Sequence, residues 1–217
     1  NPTNKQQLQY EFGIISQQIS IHNSNVAINS QLDTIGGNYC ISIEIVNSQI
    51  ESISEHGASI GKSGKSILTK TPKGENFDQI DITILNSTIK SQSKKGGPAL
   101  GQRSDHGSIF ISNSFINSSS SGQFCSIGGC PHVTVHNSTV YSSSLTGCAL
   151  GGPGLETIYI LVTTNISDST IYAHNSYIEG QMRPDSSTIG GGMSDRCHIY
   201  IRNSIINCSS YGTGAAI

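Results

Sequence analysis

Apolar residues alternate with polar ones in short bursts along this chain, and the bursts are copies of one another. "ISIHNSNV" (19–26), "IEIVNSQI" (43–50), "ITILNSTI" (82–89), "IFISNSFI" (109–116), "VTVHNSTV" (133–140), "NISDSTI" (165–171) and "IYIRNSII" (199–206) share the form apolar-x-apolar-x-Asn-Ser-x-apolar. Period-two alternation marks β-strands, because successive side chains leave a strand on opposite faces. Ile19 and Ile21, Ile43 and Ile45, Ile82 and Ile84, Ile109 and Ile111, Val133 and Val135, and Ile199 and Ile201 therefore point inward. Ser20, Glu44, Thr83, Phe110, Thr134, Asn165 and Tyr200 point outward. Past each corner the apolar side is regained at Val26, Ile50, Ile89, Ile116, Val140, Ile171 and Ile206, and in most copies a small residue follows two positions later.

A second word recurs as "DTIGG" (33–37), "ASIGK" (58–62), "PALGQ" (98–102), "CSIGG" (125–129), "CALGG" (148–152) and "STIGG" (187–191). It follows the preceding corner Asn or Asp at a nearly constant interval, which lengthens only before "STIGG". Three short inward strands in a unit of roughly 24 residues predict one turn of a parallel β-helix. The predicted fold is an all-β solenoid of seven three-faced coils, one domain over 19–217 after a lead-in of 1–18. Equivalent residues of successive coils then stack about 4.8 Å apart, giving a rod roughly 34 Å long. Asn23, Asn47, Asn86, Asn113, Asn137, Asp168 and Asn203 form one column, where an amide can bond local backbone and the next amide. "GTGAAI" (212–217) stops where the pattern calls for another Gly, so the domain is expected to continue beyond 217.

The "GCALGG" and "VHNSTV" words resemble the pectin-lyase-like right-handed β-helix superfamily. Within it they look most like Gly-Ala-Ile-Gly repeat proteins of microbial surfaces, similar to polymorphic outer-membrane and adhesin-like families. The resemblance covers the chain from Ile19 onward and rests on core and corner residues. It implies architecture more than activity, since pectinolytic enzymes, tailspikes, adhesins and passive stalks share such a coil.

Composition sharpens this. Charged residues are 12% of the chain, about half the roughly 25% usual in globular domains, with Gly, Ser, Asn, Thr and Ile in their place. Hydroxyls and amides hold such a surface, which points to an extracellular or cell-surface location. A net charge of −2 gives no general attraction to nucleic acid, and no apolar run reaches the roughly 18 residues of a spanning helix.

Three stretches interrupt the repeat: Lys62–Asp78, Gly152–Thr163 and His174–Ser186. The first, with its surroundings, makes a candidate anionic-ligand patch of Lys62, Lys65, Lys70, Lys73, Lys94 and Lys95. "GKSGKS" (61–66) lacks the first Gly and the helix of a phosphate-binding loop. A glycan-cleaving site needs clustered carboxylates. Glu44 and Asp81 on neighbouring coils, and Glu51 opposite Lys90, form no compact set. Cys125, Cys130, His132, Cys197 and His198 are spread over too many coils for one metal ion, so no metal or other cofactor is assigned. Cys125 and Cys148 hold one repeat position in consecutive coils, as stacked thiols or a cross-coil disulfide. Of five Asn-x-Ser/Thr sequons, Asn117, Asn165 and Asn207 face outward and are the candidate glycosylation sites, whereas Asn86 and Asn137 belong to the corner column.

The expected function is a structural or adhesive surface rod, with carbohydrate or other surface proteins as partners through its loops. A polysaccharide lyase or glycoside hydrolase of the same fold, and a subunit that assembles end to end into filaments, are the competing classes.

Overall fold

The computed structural model describes residues 7–9, 16–37, 40–62, 79–102, 106–121, 124–145, 147–153, 161–175, 188–190, 196–210 and 216–217. Among these, every strand pairs in parallel with its equivalent in the neighbouring coils. Three sheets result, so the chain is a parallel β-helix. The strands that precede the Asn corner, from Gln18–His22 to Arg196–Arg202, form a seven-stranded sheet. Those that follow it, from Asn25–Ser30 to Ile205–Ser210, form an eight-stranded sheet that also takes in Gln7–Gln9 from the lead-in. Short strands at the Ile-Gly word, from Ile35–Gly36 to Leu150–Pro153, form the third, five-stranded sheet.

The core is the set of aliphatic columns that the alternation predicts. Ile45, Ile84 and Ile111 stack in register and are completely buried. The Ile-Gly column is tighter still. Gly61 and Gly101 hold φ of 125° and 142°, and a Cβ added to either would sit 1.8 or 1.9 Å from the next coil's glycine oxygen. Only a residue without a side chain allows that backbone and that approach.

All seven corner residues sit in the left-handed region, with φ between 43° and 52°. Asn tolerates this conformation better than other non-glycine residues. The amides form a ladder: Asn47 Nδ2 donates to Asn23 Oδ1 at 3.2 Å, Asn86 to Asn47 at 3.2 Å, Asn137 to Asn113 at 2.7 Å, and Asn203 to Asp168 at 3.2 Å.

The Ser of each Asn-Ser pair proves equally structural. Its hydroxyl accepts the backbone N–H of the equivalent Ser one coil earlier, as in Ser48 N–H to Ser87 Oγ (3.0 Å) and Ser87 N–H to Ser114 Oγ (3.1 Å). It donates in turn to the carbonyl two residues back, Ser87 to Leu85 at 2.6 Å and Ser114 to Ser112 at 2.7 Å. The hydroxyl thus stands in for the sheet carbonyl where the chain turns. Ser114→Ala is expected to cost about 1–3 kcal/mol, the penalty for leaving the buried Ser87 N–H without an acceptor. Denaturant unfolding checks this, and Ser119→Ala on the outer side of the same coil should change stability by less than about 0.5 kcal/mol.

Candidate functional site

With core and corners committed to stacking, the residues free to meet a ligand are the outward columns. On the seven-stranded sheet one column runs Ser20, Glu44, Thr83, Phe110, Thr134, Asn165, Tyr200, as the alternation predicts. It is mixed in size and charge.

The eight-stranded sheet carries a different column: Glu51, Lys90, Asn117, Tyr141, Tyr172, Asn207. Tyr141 and Tyr172 stack with centroids 4.6 Å apart and planes 8° from parallel. Phe115, one coil back and offset by two residues, meets Tyr141 at 5.6 Å. The three rings are about 40% exposed, so this is a surface cluster and not core. Beside the tyrosines lies a cleft of about 270 Å³, bounded by Asn117, Tyr141, Tyr172, His174, Asn207 and Ser209 together with small residues of the sheet. His174 Nδ1 and Ser209 Oγ lie 2.8 Å apart in it. A second, more open hollow of about 390 Å³ follows the amide ladder at Asn86, Asn113 and Asn137 and reaches Phe115.

Of the six lysines of the candidate anionic-ligand patch, Lys62, Lys94 and Lys95 are among the described residues. Lys62 ends the strand Ile60–Lys62, in register with Gln102, and is completely buried. Its side chain therefore does not reach a surface anion. Lys94 is exposed but paired with Glu55 at 2.5 Å, and that bond lowers the Glu55 carboxyl from its ordinary value. Lys95 is exposed, while Lys65, Lys70 and Lys73 lie outside the described residues.

The described carboxylates form no cluster of acids, and Asp168 has His136 Nδ1 at 3.6 Å and an Arg202 guanidinium nitrogen at 3.7 Å. Glu44 meets His22 at 3.2 Å, Glu51 meets Lys90 at 2.6 Å, and Asp81 accepts from Ser108 at 2.8 Å. Among the described residues no three His, Cys, Asp or Glu side chains gather where one metal ion could be held.

Cys125 and Cys148 are buried thiols in adjacent coils, with no disulfide between them. Their mutual hydrogen bond, together with burial, holds the Cys125 thiol well above its ordinary pKa. Burial pushes Cys130 up to about 12. Burial likewise lifts Cys40 to about 11, against the pull of its bond to Ser42 and of the Lys62 charge. Thiols held protonated in this way are poor nucleophiles at neutral pH.

Asn117 and Asn207 are exposed and Asn165 is half-buried with its side chain outward, whereas the Nδ2 atoms of Asn86 and Asn137 are already ladder donors. Expression in a eukaryotic secretory host should therefore place sugar on Asn117, Asn165 or Asn207 and leave Asn86 and Asn137 bare. Peptide mapping by mass spectrometry reads this directly, and occupied Asn137 in folded protein would contradict the ladder.

Sequence reasoning missed the aromatic pair, although the signal was present. Tyr141 and Tyr172 each follow the apolar residue that reopens the inner side, Val140 and Ile171. Comparison with known protein families, curated proteins and solved structures finds no match to this chain.

Proposed function

We propose that this chain is the shaft of an extracellular surface protein, a β-helical rod with a structural or adhesive role, of the Gly-Ala-Ile-Gly repeat type within the pectin-lyase-like superfamily. One observation carries the reading: residues that recur in every coil serve stacking, while among the described residues the charged side chains of the outer faces pair off, as at Glu44 and Glu51, and the group of His136 and Arg202 gathers at Asp168, which is itself a corner of the amide column. A catalytic centre needs several such groups converging on one point. A rod that presents a surface needs only rigidity and an outward column able to make contacts. The low charge content and the outward sequons support an extracellular setting.

The test couples the chain to beads and measures attachment to surfaces coated with plant or microbial polysaccharide. Attachment without release of new reducing ends is expected. Release of reducing ends from pectin-like polymers would replace this reading with the enzymatic one.

A further inference from the structure

We infer that the outer face of the eight-stranded sheet holds a binding site for a neutral oligosaccharide, centred on Tyr141 and Tyr172. The inference rests on the adhesive-rod reading and supplies the ligand class and location that reading lacks.

The 4.6 Å between the two rings is close to one rung of the helix, so the ring faces look along the rod. One face of Tyr172 is covered by Tyr141. Its other face looks toward the next rung, where the equivalent residue is Asn207 and not another ring. The cleft runs alongside both rings and reaches that rung, lined by Asn117, Tyr141, Tyr172 and Asn207 of one column and by Ser143, His174 and Ser209 of the next. A pyranose has an apolar C–H face and a rim of hydroxyls. Its face suits an aromatic ring, and its rim suits groups that both donate and accept. Amide, hydroxyl and imidazole are such groups.

Charge then narrows the ligand. Among the described residues, no Asp, Glu, Lys or Arg lines this cleft or the neighbouring hollow along Asn86, Asn113 and Asn137. The nearest charged residue of the column, Lys90, is engaged by Glu51 at 2.6 Å. An anionic sugar would lose hydration here without gaining a counter-charge. The two hollows adjoin the same run of rings, Phe115–Tyr141–Tyr172, so the surface suits a chain of a few sugar units better than an isolated one.

The experiment uses protein made without N-glycosylation, because sugar attached to Asn117 or Asn207 would cover the cleft. Cellobiose, chitobiose and mannobiose are titrated while tyrosine emission is followed, which no tryptophan obscures because the chain contains none. Saturable binding of at least one is expected. Tyr172→Ala should weaken it roughly tenfold, as loss of a stacking contact does. Tyr200→Ala, an exposed ring on another sheet, should leave it unchanged. Circular dichroism and thermal unfolding of each variant establish that it is folded. The site is overturned if none of the three sugars binds, if Tyr172→Ala binds as the parent does, or if trigalacturonate binds more tightly than all three. Bead attachment that survives Tyr172→Ala overturns the site and keeps the adhesive rod. Tyr172-dependent sugar binding by a chain whose beads fail to attach keeps the site and removes the adhesive reading.

Discussion

Replacing Gly101 by alanine is expected to remove more than about 4 kcal/mol of folding stability, a loss that only a few mechanisms produce. Two of them act together here. The residue holds φ of 142°, where an L side chain is strained. The added methyl would also lie 1.9 Å from the Gly128 carbonyl oxygen of the next coil. That oxygen belongs to paired backbone, so relief requires prising two coils apart. Guanidinium chloride unfolding, compared with the parent chain, gives the loss. Gly96→Ala is the control, because its Cβ comes no nearer than 3.0 Å to the His56 oxygen and its φ is not in the strained range. A Gly101→Ala midpoint equal to the parent's would mean that neighbouring coils are not in contact at this edge.

Ile84→Ala is the second large effect, about 2–5 kcal/mol. Ile84 has no exposed surface and is held between Ile45 and Ile111 in the column. Truncation leaves a gap that neither neighbour can fill, since both are fixed by their own sheet bonds. Ile201 belongs to the same column but is 41% exposed, so Ile201→Ala should cost well under half as much. Thermal unfolding of the two variants side by side decides the point. Equal losses would show that burial within the column does not set the cost of truncation.

Much of this fold can be read from the sequence because a solenoid repeats its solution in every coil. Alternating Ile and Val mark the strands, and the Asn recurrence marks the corner that the structure finds at φ near 50°. The pattern misleads where one residue type can serve two ends. A lysine is seldom buried, so Lys62 reads as the start of a loop, yet its strand continues one residue past Gly61. The corner Ser carries no such signal, because serine is common on any surface. Its two hydrogen bonds depend on the coil above and the turn behind, and neither is written in local spacing. The stacked tyrosines escape for a related reason. They stand a whole coil apart in the chain, and only a strict alignment of coils brings Tyr141 beside Tyr172.

The hydrogen bonds that join one coil to the next run along the long axis of the molecule, through the three sheets and the amide and serine columns alike. Tension applied between the chain ends therefore falls first on the outermost turn, which peels away before the one beneath it is loaded. Such a tether yields in steps of one turn, each releasing the stretch of chain between successive corners. Under a steady pull it gives way gradually, as a shock absorber does, and does not snap at a single threshold.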